Sequence, residues 1–157
     1  MKRLFFLCFG LFFASTGCDL LTNSKEDTSI TIEKIIVSGI EYSVSVTTNV
    51  FSLRDTLIVT FNVKNNSISP KTYHFANVQQ LGFNITDRSN RIAISYPLIV
   101  SPALSSFIVD PGESKTLTVK SLFKNAEGNY ISTGTYRLKA YLLDRNSPQL
   151  SLRISIR

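Results

Sequence analysis

Tryptophan is absent from this chain of 157 residues, and histidine and methionine occur once each. The single imidazole, His74, and two cysteines leave little besides carboxylates to hold a metal, and no D-x-D-x-D-G loop is present. No G-x-S-x-G stretch marks a nucleophile elbow, and no glycine-rich loop cradles a phosphate. Charged residues make up only 18%, and the bases run from Lys25 to Arg157 without a tract of neighbours, which argues against a nucleic-acid partner. The acids Asp87, Asp110, Glu113, Glu127 and Asp144 fall among turn residues, where turn chemistry accounts for them without paired-carboxylate catalysis. A sustained helical period is missing as well. These absences predict a protein without cofactor, metal or catalytic centre.

What is present begins with MKRLFFLCFGLFFASTGCDL. Lys2 and Arg3 precede an apolar run from Leu4 to Ala14, then small residues, then Cys18 and Asp19. The run fits the roughly 7–15 residues of a secretory leader and falls short of the ~20 that cross a bilayer. Small residues before a cysteine resemble the lipobox of bacterial lipoproteins, in which the leader is cut before the cysteine and the cysteine is acylated. Gly17 fits that pattern, and Ser15 stands where leucine is commoner. The resemblance implies a signal peptide over 1–17, lipidation of Cys18, and a protein exported and anchored to a bacterial membrane. A simple secreted protein cut nearby is the alternative. A thiolate is the side chain best suited to thioether formation, and each buried CH₂ of an acyl chain adds about 0.8 kcal/mol of membrane affinity. Cys8 leaves with the leader, so no internal disulfide is expected. Losing Lys2 and Arg3 turns seventeen bases into fifteen against eleven acids, a mild balance of +4. Residues 18–29 are polar and aperiodic, which reads as a flexible tether with a reach of about 18 Å.

From residue 30 to 157 the chain reads in period two, as one domain. Ile40, Tyr42, Val44 and Val46 alternate with polar residues, as do Leu57, Val59, Phe61 and Val63. Tyr136, Leu138, Ala140 and Leu142, then Leu150, Leu152, Ile154 and Ile156, repeat the pattern. This is the signature of strands with one buried face. KNNSISPK, DRSN, DPGES, NAEGN and DRNSP punctuate them, with Pro111 and Gly112 in the order a tight turn wants. The pattern predicts an all-β, immunoglobulin-like antiparallel β-sandwich of about eight or nine strands.

GTYRLKAYL, residues 134–142, resembles the late strand that carries a tyrosine corner, which gives Tyr136 a structural task. Together with LIVTFNVKNNSISPKTYHFANVQQLGFNITDRSNRIAI and FIVDPGESKTLTV, it resembles the BsuPI domain, a family named for a bacterial intracellular proteinase inhibitor. Asn65, Phe75, Gln80, Phe83, Pro111, Gly112, Glu113, Gly134 and Tyr136 match, across Leu57 to Leu143. A tryptophan often found after the Pro-Gly-Glu turn is replaced by Ser121-Leu122-Phe123. The resemblance implies an immunoglobulin-like fold and binding of a protein partner, such as a serine protease. A leader-bearing chain points instead to a partner in the cell envelope, or to an adhesion or assembly module without inhibitory activity.

Two stretches offer themselves as binding surfaces. Pro97 and Pro102 bracket Leu98, Ile99 and Val100, a stiffened apolar segment that loses little entropy on docking. The competing reading makes it a crossing between sheets, with Leu98, Val100 and Leu104 in the core. Arg137 and Lys139 point one way on one strand, and Arg153 and Arg157 share a side on another. If those strands pair, four bases line one face toward an anionic partner or headgroups. The competing reading is solvated charge that discourages edge pairing.

Overall fold

The computed structural model describes residues 31–157. The leader 1–17, Cys18, the tether 18–29 and Ile30 lie outside the described residues. Eleven strands follow one another without a helix among the described residues: β1 (Thr31–Val37), β2 (Ile40–Val46), β3 (Val50–Phe51), β4 (Thr56–Asn65), β5 (Lys71–Asn77), β6 (Leu81–Thr86), β7 (Ile92–Tyr96), β8 (Pro102–Val109), β9 (Ser114–Leu122), β10 (Gly134–Leu142) and β11 (Leu150–Ile156). They form a sheet in the order β1-β2-β4-β9, a sheet in the order β3-β11-β10-β6-β7, and a two-stranded pair β5-β8. All pairings are antiparallel except β3 with β11.

The two larger sheets bury the residues that the period-two reading places inward. In β2 and β4 these are Tyr42, Val44, Val59 and Phe61; in β10 and β11 they are Leu138, Ala140, Leu152 and Ile154. Side chains alternate across a strand, so one register per strand fills the core and wets the other face. β5 and β8 add Tyr73, Phe75, Phe107 and Val109 to the same core. The Phe107 ring stacks on Tyr73 and Phe75 at centroid distances of 4.8 and 5.4 Å.

The strand number exceeds the expected eight or nine. β3 spans only two residues, too few to show a period. β1 keeps one face no drier than the other, since Ile32, Ile35, Ile36 and Val37 are all exposed.

The end of the sandwich where β4 stops is built around one side chain. Asn65 is wholly buried. Its amide donates to the carbonyls of Ser69 and Val109 at 2.8 and 2.9 Å, and its Oδ1 accepts from the Ser67 amide and hydroxyl at 2.9 and 2.7 Å. The Asp110–Glu113 turn docks on its backbone: Gly112 N–H donates to the Asn65 carbonyl, and Asn65 N–H donates to that of Glu113. Gly112 has φ +81°, which a side chain rarely adopts. Asn65, Pro111, Gly112 and Glu113 therefore fix the chain at this end.

Candidate functional site

The segment between β7 and β8 lies at the surface. Leu98, Ile99 and Val100 are 62%, 83% and 46% exposed. The core placement of Leu98, Val100 and Leu104 is thereby overturned, with Leu104 at 93% exposure. The reason is phase and occupancy. β8 turns Phe107 and Val109 inward, which puts Leu104 on the outward phase, and the aromatic stack of β5 and β8 already fills the space beneath. Pro102 opens β8, pairs with Asn77 and so anchors the loop. Ser101 N–H donates to Gln79 Oε1 at 3.0 Å and Val78 N–H donates to the Ser101 carbonyl at 3.1 Å. The base of the loop is thus held while its aliphatic tip stands in solvent. The chain bends at Leu98 and Ile99 rather than running extended.

The basic residues divide. β10 and β11 do pair, and Arg137 stands directly opposite Arg153. Lys139 faces Ser151 one step along, and Arg157 lies beyond the end of β11. The two central arginines line an open cleft of about 630 Å³ with Thr135, Tyr136 and Ser155 and with Asp87, Arg88 and Asn90 of the β6–β7 turn. Lys139 and Arg157 do not line it. Arg88 is the contributor that the sequence reading missed. DRSN identified a turn, and nothing in it signalled that the turn would fold over β10 and β11.

Asp87 organises that turn. Its Oδ1 accepts from the Ser89 and Arg91 amides at 2.8 and 3.0 Å, and its Oδ2 pairs with the Arg91 guanidinium at 2.9 Å. The Arg91 amide, then the Arg91 guanidinium and the Ser89 amide, hold the carboxyl below its ordinary range. Beside it, Tyr136 donates its hydroxyl to the Ser132 carbonyl at 2.7 Å, pinning the chain before β10 as a tyrosine corner does. Burial, then the Asp87 charge, push its phenol pKa up.

His74 is exposed on β5 opposite Ser106. No hydrogen bond or ion pair ties either residue to a carboxylate among the described residues. No cluster of three or more His, Cys, Asp or Glu able to hold a metal occurs among the described residues. Nor is any helix there long and apolar enough to cross a membrane.

No protein-family model matches the chain, and no curated protein matches it by sequence. Solved structures that match the chain distantly include a β-glucosidase from Listeria innocua in complex with glucose, 16% identical, with a TM-score of 0.43 over 81% of this chain and 16% of that one. The alkylpurine DNA glycosylase AlkC of Pseudomonas fluorescens is 12% identical, with a TM-score of 0.46 over 71% and 28% of the two chains. The CARDB domain of the PF1109 protein from Pyrococcus furiosus is 13% identical, with a TM-score of 0.43 over 82% and 86%. This chain thus spans about a sixth of the glucosidase, and likenesses this distant carry no argument about activity.

Proposed function

We propose that the chain is an exported lipoprotein, anchored through Cys18, whose immunoglobulin-like domain binds another envelope protein through the Pro97–Pro102 loop. One observation carries the reading: three consecutive aliphatic side chains, Leu98 to Val100, are presented to solvent on a loop with a tethered base. Leaving such a cluster wet forgoes burial worth about 25 cal/mol per Å², and a partner with an apolar recess recovers it. Aliphatic anchors on a held loop also lose little conformational entropy on docking.

Inhibition of a subtilisin-like protease is the second reading, favoured by the BsuPI resemblance. The matched residues perform folding tasks: Phe75 and Phe83 are in the core, Asn65 and Gly112 build one end, and Tyr136 pins β10. They support a shared fold and leave partner choice to the loop. The bends at Leu98 and Ile99 favour a docking tip over a substrate-like extended segment.

A photo-cross-linking residue at position 99 of the full chain, in its own cells, tests the first reading. A discrete protein adduct abolished by Leu98→Asp is expected; no adduct removes the loop as a binding site. Titrating residues 28–157 against a panel of subtilisin-like proteases tests the second, which fails if micromolar protein leaves them all active. Cys18→Ala should release the protein from membranes, and continued retention contradicts the anchor.

A further inference from the structure

The cleft over β10 and β11 has a charge imbalance that the fold does not need. Arg137 and Arg153 are direct cross-strand neighbours, an arrangement that costs stability because like charges face each other. Arg88 joins them from the β6–β7 turn. None of the three belongs to an ion pair among the described residues. The one carboxylate on the wall, Asp87, is already engaged by Arg91, a residue outside the cleft lining. Among the described residues three guanidiniums thus remain without an ion-pair partner.

The neutral groups around them are donors of the matching kind. Thr135 and Ser155 face each other across the same two strands and bring hydroxyls to the wall, and Asn90 adds an amide from the turn. The turn's own shape is held by five hydrogen bonds at Asp87, three to its carboxylate and two through its backbone, and beside it the Thr86 hydroxyl donates to the Arg137 carbonyl of β10 at 3.4 Å. Guanidinium forks bind phosphate oxygens in pairs, and hydroxyls take up the remainder. The 630 Å³ volume admits a phosphate together with part of the molecule that bears it.

We propose that this cleft binds a phosphate group, carried either by a soluble phosphate ester or by a phospholipid headgroup. The position suits both sources. Thr31, where the described domain begins, pairs with Val46, and four residues later Val50 pairs with Ser155 at the cleft. The cleft therefore lies at the same end of the sandwich as Thr31, where the described residues begin. The inference does not rest on the Pro97–Pro102 loop.

The test titrates the full chain in a non-ionic detergent, by calorimetry, with two probes: glycerol 1-phosphate, and dihexanoyl phosphatidylglycerol below its micelle concentration. Binding of glycerol 1-phosphate assigns a soluble ester. Binding of the short-chain lipid alone assigns a headgroup. In either case Arg137→Ala and Arg153→Ala should each weaken affinity about tenfold, the loss of one charge-assisted contact, and added salt should weaken it further. Lys139→Ala, on the same face outside the cleft, should leave affinity unchanged. Arg153→Lys keeps the charge and loses the fork, so it should fall between wild type and alanine. A ligand that binds should also raise the unfolding temperature of the wild type and not of the Arg137→Ala/Arg153→Ala double variant, whose own cooperative unfolding transition without ligand shows that it is folded. Heat from neither probe, or affinity that the arginine variants leave intact, overturns the proposal.

Discussion

Two polar clusters sit at opposite ends of this sandwich, and they are built on opposite terms. At the end where β4 stops, Asn65 is buried, and both atoms of its side-chain amide are matched, by Ser69, Val109 and Ser67. At the other end, Arg88, Arg137 and Arg153 are gathered around an open cleft, and none of them is in an ion pair among the described residues. A complete set of partners marks a group that holds the chain, because any orphaned donor or acceptor there would cost its full desolvation. An incomplete set, tolerated at the surface, leaves room for something from outside. The contrast separates residues kept for folding from residues free to act.

The comparison breaks most visibly at Asn65. Asn65→Ala removes two donors and one acceptor that reach four groups, leaving the Val109 carbonyl without that partner in the interior. The expected loss is about 3 kcal/mol in denaturant unfolding. A loss near zero would show that water replaces the amide and that the end is not held by it. Next in size is a pH effect. Burial, then the 2.9 Å hydrogen bond shared with the Tyr42 hydroxyl, raise the Tyr73 pKa far above its ordinary 10.0. The folded protein keeps a proton that the unfolded chain loses, so this stabilisation is complete below pH 10 and declines above it. The decline is about 1.4 kcal/mol per pH unit for one proton. Tyr73→Phe should flatten that limb of the stability–pH profile, and an unchanged slope would assign it to another group. Smaller again is Tyr136→Phe, which removes the 2.7 Å bond to Ser132 at the margin of the cleft. A loss of about 1 kcal/mol in thermal unfolding is expected, and none would make the corner dispensable.

Much of this was legible in the chain because a half-buried strand repeats every two residues. The inward sets of β2, β4, β10 and β11 were all marked by alternation, and all are buried. The turn at Pro111-Gly112 was marked by backbone preference alone. The exposed loop was not legible as exposed, since Leu98-Ile99-Val100 has the composition of core. Only the occupancy of the interior by Tyr73, Phe75, Phe107 and Val109 keeps it outside, and that is a long-range fact. The cleft was half legible. Alternation put Arg137 and Arg153 on wet faces, but register decides that they meet, and the fold of the β6–β7 turn decides that Arg88 joins them.

The smallest effect has the opposite sign and tests the contrast most directly. Arg153→Thr removes one of two like charges placed opposite each other and puts a β-branched residue on an exposed strand position. Without ligand, the variant should be more stable than the wild type, by about 0.3–0.5 kcal/mol at low salt. The gain should shrink as salt screens the pair. Lys139→Thr, across from Ser151 rather than another base, should show no such salt-dependent gain. A destabilised Arg153→Thr would mean that its guanidinium packs or pairs within the fold. Arg153 would then belong with Asn65 among the residues that hold the chain, and the distinction between the two ends would fall.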